Sequence, residues 1–294
     1  MSSSIPSLSG SVAAVTGGAR GIGRATADAF VREGARVAIG DVDVALAQRT
    51  AEELGPNVVA FELDVTDRAS FTSFLDRASR ELGPVDVLVN NAGIERRGST
   101  EEMPLSDFRA LMETNYFGAL RCIQAVLPRM RERRSGCIVN VTSVAGRISA
   151  SPLGGYSASK FALEALSEAL AQEVSAFNIR VAVVQPGIID TAMAQSLGSR
   201  PAASHYPNAR RMAGLFTAAL GNPTSPSVVA QKIRDVIESG TWQLRHPVGP
   251  DAEPFLQWRA SMNDEQWAGW GAADDDTWYQ SVQRDFGLNA RLPE

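Results

Sequence analysis

From residue 11 to about residue 190, short runs of Val, Ile, Ala and Leu alternate with longer stretches in which apolar residues recur every three or four positions. The runs predict strands at 12–16 (VAAVT), 36–40 (RVAIG), 57–62 (NVVAFE), 85–89 (VDVLV), 137–142 (CIVNVT) and 179–185 (IRVAVVQ). The stretches between them predict helices at about 22–33, 43–54, 67–82, 105–133 and 156–176, each long enough for a right-handed crossover. Strand runs that are apolar on both faces belong to a sheet covered on both sides. The pattern therefore predicts an α/β fold built on a doubly wound parallel sheet.

Beyond residue 190 the rhythm breaks. Residues 192–222 carry apolar side chains interrupted by Gly and Pro, which predicts short helices in a mobile flap. Ser225 and Pro226 have the form of a helix cap and first helical position; Val229, Ile233, Val236 and Ile237 fall on one face, and Gly240 stops the run. A last strand is expected in WQLRHPV, residues 242–248. The five tryptophans, Trp242, Trp258, Trp267, Trp270 and Trp278, all follow residue 240, so the end of the chain must bury aromatic surface. Asp276, Trp278, Val282 and Phe286 at helical spacing, with Gly287 behind them, predict a final amphipathic helix. The expected organisation is a single catalytic domain over 11–249, including the flap at 192–222, with an N-terminal tail (1–10) and a Trp-rich C-terminal extension (250–294).

Composition narrows the function. The 294 residues, 44% of them hydrophobic, suffice for one sizeable core. A net charge of -5 leaves no basic surplus with which to neutralise a phosphate backbone, so nucleic acid is not an expected partner. The run Arg129, Arg131, Arg133, Arg134 reads as the cationic last turn of a helix. Nowhere do eighteen apolar residues run uninterrupted, and the start MSSSIPSLSG has neither the basic nor the apolar region of a signal peptide. A soluble, cytoplasmic protein without membrane association is expected. Cys122 and Cys137 stand fifteen positions apart and form no ligand spacing, so they read as small buried apolar residues and no metal site is expected. The two histidines, His205 and His246, read as non-ligands.

The first predicted strand runs directly into Thr16-Gly17-Gly18-Ala19-Arg20-Gly21-Ile22-Gly23, where a helix starts. Backbone N–H groups and the positive helix end can there face a pyrophosphate, the arrangement of a Rossmann-type dinucleotide site. Alone, such a loop can also be a plain strand-to-helix turn. The second strand ends at Gly40-Asp41, eighteen positions beyond Gly23, where a carboxylate can accept hydrogen bonds from the adenosine ribose and repel a 2′-phosphate. Asp41 thus favours NAD as cofactor. Arg20, inside the loop, points the other way, since it can pair with the extra phosphate of NADP. The carboxylate weighs more, because an unpaired negative charge beside a phosphate costs more than a mobile surface arginine contributes.

Tyr156-Ser157-Ala158-Ser159-Lys160 places a phenol and an ammonium at i and i+4 on one side of a helix. A free tyrosine titrates near pH ~10, so a tyrosine serving as a base near neutrality needs a neighbouring cation. A bare Tyr-xxx-Lys pair is otherwise a solvated surface pair. Its company changes this: the preceding strand ends in Asn140-Val141-Thr142-Ser143, thirteen residues upstream of Tyr156.

The set TGGARGIG, NNAG (Asn90 to Gly93), Asn115, Ser143, Tyr156-xxx-Lys160 and Pro186-Gly187, in this order and spacing, resembles the short-chain dehydrogenase/reductase family in its single-domain form, over about residues 10–190. The resemblance implies that Tyr156 exchanges a proton with the substrate oxygen and that Ser143 orients that oxygen. Lys160 is implied to lower the tyrosine pKa and hold the nicotinamide ribose. Asn115 is implied to hold a water linking Lys160 to solvent; read by itself, it is a helix-interior polar residue bonding to backbone. The same resemblance places Gly17, Arg20, Gly21, Ile22 and Gly23 at the phosphates, and Asp64 and Val65 at the adenine. It puts Asn91, Ala92 and Gly93 beneath the cofactor, and Pro186, Gly187, Ile189 and Thr191 around the nicotinamide amide. Asp64 also reads as a turn carboxylate. Asp190 is a further charge in that last segment.

The expectation is an oxidoreductase moving a hydride between NAD(H) and a small-molecule alcohol or carbonyl, without a metal. Met193, Leu197, Met212, Leu215 and Phe216 in the flap offer an apolar lining for a hydrophobic substrate, and can equally pack the flap onto the body. Arg210-Arg211 can grip a carboxylate or phosphate, but an exposed helix turn is the simpler reading. A homodimer or homotetramer is implied, paired through helices 105–133 and 156–176. Residues 250–294 either embrace a partner subunit or cover the active site. The rival readings are an NADPH-dependent carbonyl reductase and a dinucleotide-binding sensor without turnover.

Overall fold

The computed structural model describes residues 7–198 and 204–292. Among these, seven strands form one sheet: β1 (Val12–Thr16), β2 (Arg36–Asp41), β3 (Val58–Glu62), β4 (Val87–Asn90), β5 (Gly136–Val141), β6 (Ile179–Pro186) and β7 (Arg245–Val248). Every pairing is parallel, in the order β3-β2-β1-β4-β5-β6-β7. The sheet is Rossmann-like and belongs to a single domain, as the alternating pattern predicts. Its order reverses between β1 and β4, which opens a crevice at the carboxyl ends of those strands.

Strand alternation divides the core in two. Ala13, Val15, Val37 and Ile39 point to one face, where α1 (Gly21–Arg32), α2 (Val44–Leu54) and α9 (Pro226–Ser239) cover them with Phe30, Ala47, Ile233 and their neighbours. Val12, Ala14, Ala38 and Leu88 point to the other, under α3 (Arg68–Glu81), α5 (Ala119–Arg133) and α6 (Gly154–Ser175). Cys122 lies buried on this second face and Cys137 on the first, both as apolar residues.

The structure departs from the periodicity in four places. The helix expected over 105–133 is α4 (Leu105–Met112), a π-helical turn (Glu113–Gly118) and then α5. The wider turn carries Asn115, whose side chain bonds across to another segment instead of simply packing; an apolar stripe does not register the extra residue. The last strand is shorter than expected, because β6 offers pairing partners only for Arg245–Val248, and Trp242 is left 52% exposed. The flap contains short helices, α7 (Ala192–Gly198) and α8 (Asn208–Leu220), and the expected final helix is α12 (Asp275–Phe286), but the extension adds two further helices ahead of it, α10 (Ala252–Ala260) and α11 (Asp264–Ala272). Helix α11 buries no residue and begins with a reciprocal Asn263–Gln266 capping box, so it leaves no stripe to read.

Arg211 is the fourth departure. It does not sit on an exposed helix turn: only 3% of it is accessible. Its guanidinium donates to Asp275 Oδ1 at 2.8 Å, Gly271 O at 3.3 Å and Ala273 O at 2.7 Å, clasping the α11–α12 junction. At the other end of the chain, Leu8 is fully buried and its N–H donates to Glu238 at 2.6 Å, so this part of the N-terminal tail is packed.

Candidate active site

The predicted phosphate loop leaves β1 at Thr16 and turns at Gly17, whose φ of 65° lies in the left-handed region. Its shape is set from two sides. Asn91 Nδ2, at the end of β4, donates to the carbonyls of Thr16 and Gly17, both at 3.0 Å, while Thr16 Oγ1 accepts from Asn91 N and Ala92 N, both at 3.0 Å. From β2, Asp41 Oδ2 accepts from Ala19 N at 3.1 Å. The first turn of α1 then opens at Arg20 with no side chain capping it, which leaves its amides facing the crevice as an anion site. At Gly23 a Cβ would stand 2.1 Å from Gly17 O, so a side chain there and the observed loop exclude each other.

Asp41, 9% exposed, also accepts from Asp43 N at 3.1 Å and borders the cleft. Arg20 is turned toward Asp43 at 3.4 Å, in an exposed pair of little energetic weight. Asp64 Oδ1 accepts from Thr66 N at 2.9 Å and Thr66 Oγ1 at 2.7 Å, a turn carboxylate at the rim of the same cleft.

Deeper in, Tyr156 and Lys160 rise from the first turns of α6, and the Lys160 Nζ stands 5.7 Å from the Tyr156 ring centroid. Lys160 is buried and Tyr156 half-buried, and loss of solvent disfavours the charged form of each. It pushes the Tyr156 phenol up to about 12, against the Ser143 hydroxyl, which lowers it, and with the Glu95 carboxylate, which adds to the rise. It pulls Lys160 down to about 8, opposed by the charge of Glu164. Lys160 Nζ donates to Val141 O at 3.0 Å. Ser143 Oγ reaches Pro186 O at 3.4 Å and accepts from Ala145 N at 3.1 Å. Asn115 bonds both ways to the Ile94 backbone, at 2.8 and 3.0 Å, and donates to Ser159 Oγ at 3.0 Å. Gly93 separates Asn115 from Lys160: a Cβ there would lie 3.2 Å from Asn115 Oδ1 and 3.7 Å from Lys160 Nζ.

The segment after β6 completes the floor. Gly187 N donates to Val248 O at 3.0 Å, and Thr191 Oγ1 accepts from Ala194 N at 3.2 Å. Asp190, unassigned from sequence, accepts from Gln195 Nε2 at 2.8 Å. One cleft of about 1260 Å³ joins the phosphate loop, Asp41, Asp64, Ser143, Tyr156, Lys160 and the Pro186–Thr191 segment. Of the predicted site residues, Gly23 and Asn115 do not line it; they act behind its wall.

Three carboxylates at the site escaped the sequence reading. Glu164, 4% exposed, accepts from Thr142 Oγ1 at 2.8 Å, Gln185 Nε2 at 2.9 Å and Arg245 Nε at 2.8 Å, one helical turn beyond Lys160. The i+4 spacing from Lys160 was the available signal. Glu95, two positions after NNAG, lines the cleft with its Oε1 buried and unpartnered among the described residues. Burial raises its pKa, while Arg97 and Arg96 oppose the rise. Asp251 Oδ2 accepts from Ile188 N at 2.7 Å and braces the Gly187 turn from behind. Glu95 and Asp251 lie in loops, where periodicity says nothing. Among the described residues no group of His, Cys, Asp or Glu is placed to hold a metal, and no helix is long and apolar enough to cross a membrane.

A parallel sheet with its crevice at the order reversal, a glycine loop closed on a helix start, and a Tyr–Lys pair beside a serine define a dinucleotide-dependent oxidoreductase. The sequence model of the short chain dehydrogenase family matches residues 11–202, and the chain belongs to that family. It is 41% identical over 188 residues to a sorbitol dehydrogenase of Cereibacter sphaeroides, covering 62% of this chain and 72% of the relative. It is 38% identical over 186 residues to a 3-alpha-(or 20-beta)-hydroxysteroid dehydrogenase of Mycobacterium tuberculosis, covering 63% and 72%. Among solved structures, a short-chain dehydrogenase/reductase of Burkholderia phymatum in complex with NAD superposes with a TM-score of 0.78 at 25% identity, covering 90% of this chain and 96% of that one. A nicotinamide dinucleotide is thus the cofactor class, and the glycine loop, the uncapped start of α1 and the cleft fit it.

Replacing Gly23 by Ala is expected to force the loop open, at a cost of about 1–3 kcal/mol for overpacking. Calorimetric unfolding and dinucleotide titration should show a lowered Tm and weakened binding together; unchanged affinity would mean that the loop does not hold the phosphates.

Proposed function

We propose that this chain is an NAD(H)-dependent oxidoreductase acting on a hydrophobic secondary alcohol or the corresponding ketone, with Tyr156 as general acid and base. The observation that carries this reading is the convergence of Tyr156, Ser143 and Lys160 in the cleft that also holds the phosphate loop and Asp41. Bound there, the nicotinamide supplies the hydride acceptor for the carbinol carbon, or the donor in the reverse direction. The protein manages the proton. Tyr156 Oη takes the hydroxyl proton as the alcohol carbon loses hydride, and the phenol returns it to the carbonyl oxygen in reduction. Ser143 Oγ donates to that same oxygen and stabilises negative charge developing on it. Lys160, as an ammonium below about pH 8, favours the phenolate that burial alone disfavours. Asn115, separated from Lys160 by Gly93 alone, would hold a water that connects Lys160 to solvent.

In this reading the backbone of Gly17 and Arg20 to Gly23 faces the diphosphate, and Asp41 accepts from the adenosine ribose hydroxyls. Asp64 and Val65 border the adenine, Asn91 to Gly93 lie beneath the cofactor, and Pro186, Gly187, Ile189 and Thr191 surround the nicotinamide amide. A preference for NAD over NADP is supported by the buried carboxylate of Asp41 and by the engagement of Arg20 with Asp43. The names of the two relatives support an alcohol as substrate. Met193, Leu197, Met212, Leu215 and Phe216 line the cleft and favour a hydrophobic one. Pairing into a homodimer or homotetramer through the 105–133 run and α6 is supported by Phe117 and Phe161, 40% and 41% exposed on those two surfaces.

Tyr156→Phe should lower kcat about 10²–10⁴-fold with dinucleotide affinity nearly unchanged. Equal turnover in absorbance assays of the nicotinamide would remove Tyr156 from the chemistry. Asp41→Ala also frees Ala19 N, so the informative quantity is a ratio: the preference for NAD over NADP should fall by about tenfold or more. A ratio that stays put would transfer discrimination elsewhere. Glu95→Gln deletes a negative charge that raises the Tyr156 pKa, so the acid limb of kcat/KM for alcohol oxidation should move to lower pH. A limb that stays still, or moves up, would contradict the assignment of Tyr156 as the titrating base.

A further inference from the structure

Beyond β7 the chain returns to the cleft. Helix α10 starts where Asp251 braces Ile188, and Phe255, Trp258, Trp267, Trp270, Val282 and Phe286 line the same cavity as Tyr156 and Ser143. The aromatic rings form one connected wall. Trp267 and Trp270 stack at 5.3 Å with an interplanar angle of 11°. Trp258 meets Trp270 edge-on at 5.1 Å and Phe286 at 4.9 Å, and Phe286 in turn meets Phe255 at 4.6 Å.

Two of the three indole N–H groups in this wall, which would otherwise make it more polar, are used inside the protein. Trp258 Nε1 donates to Asp285 at 3.2 Å and Trp270 Nε1 to Ser281 Oγ at 3.0 Å, which also fixes the ring orientations. The wall rests on a small core of its own, Trp278, Tyr279 and Val282, packed with Leu215 of α8. Leu215 also packs against Leu197 and Met212, so the aromatic wall continues into the apolar wall of the flap. Arg211 clasps the α11–α12 junction from α8, and Asp251 anchors the start of α10 to the end of β6, so the lid is held at two points on the body.

We propose that this C-terminal lid selects the substrate: the carbonyl or carbinol presented to Tyr156 carries a fused or extended aromatic ring system that packs against the Trp258 wall. This rests on the oxidoreductase reading above and names the substrate class of that same site. Edge-on and stacked contacts with indoles favour an aromatic ring over a saturated ring of equal size, by roughly two- to tenfold for each good ring contact. A fused bicycle long enough to touch two rings of the wall gains this more than once.

The test compares 2-acetonaphthone with its saturated analogue 2-acetyldecalin, titrated calorimetrically into the enzyme–NADH complex, with NADH oxidation followed in parallel. The wild type should bind the naphthyl ketone about tenfold or more tighter, and Trp258→Leu, which keeps apolar bulk but removes the indole, should abolish most of that preference while NADH affinity holds. Phe255→Leu gives a second, milder probe of the same wall should the first variant fold poorly. Equal binding of the two ketones to the wild type, or an undiminished preference in both variants, overturns the lid's role. Preference that depends on Trp258 without any NADH oxidation supports the lid and overturns the oxidoreductase reading alone.

Discussion

The cleft depends on the junction of two strands that are neighbours in the sheet but far apart in the chain. At the ends of β1 and β4, Asn91 donates to two consecutive carbonyls, Thr16 O and Gly17 O, and Thr16 returns the arrangement by accepting from Asn91 N and Ala92 N. These are groups that the sheet itself has ceased to satisfy, and leaving one buried without a partner costs about 1–3 kcal/mol. Once Gly17 O is fixed, Gly23 must pass beneath it, the start of α1 is set, and its free amides point into the crevice. Asp41 holds Ala19 from the other side. The phosphate loop is therefore a structure imposed by β2 and β4, and the same bonds that stabilise the sheet edge create the anion site.

Electrostatics beneath the loop follow from burial. A phenol and an ammonium are both taken out of water, so each is pushed toward its neutral form, to about 12 and about 8. On the lysine side stands Glu164, itself held by Thr142, Gln185 and Arg245, and its charge opposes the fall of the Lys160 pKa. Glu95 has no such partners among the described residues, and its charge works against the phenolate. Each carboxylate raises the pKa of its neighbour: Glu164 favours the ammonium of Lys160, and Glu95 favours the neutral phenol of Tyr156.

The sheet was legible because its strands are apolar on both faces and its helices keep a single stripe, so residues such as Ile39, Leu88 and Ile233 announce their places. The motifs at Gly17–Gly23, Ser143 and Tyr156–Lys160 were legible through their joint resemblance to a family, and Gly17, Ser143, Tyr156 and Lys160 border one cleft. What lay outside periodicity was not legible. The π turn around Asn115 inserts a residue that an apolar stripe does not count. Glu95 and Asp251 sit in loops, and their surroundings come from distant segments. Arg211 looked like one of a surface pair because its acceptors, Gly271 O, Ala273 O and Asp275, are some sixty positions away and two of them are backbone carbonyls with no sequence signature.

This division between what is periodic and what is not also divides the labour of the molecule. Ser143 follows the end of β5, and Tyr156 and Lys160 stand on α6, next to elements buried against the sheet, where a displacement would unpack the core. The surfaces facing the rest of the cleft come from α7, α8 and the three helices after β7; Leu215 and Arg211 join α8 to those three helices, and Asp251 ties their start to the segment after β6. Such segments can change composition without disturbing the Tyr156–Lys160 geometry, since few of their contacts pass through it. Three of the five tryptophans after residue 240, Trp258, Trp267 and Trp270, thus put aromatic area on the side of the cleft where the fold itself asks for nothing in particular, while Trp278 packs the core beneath them.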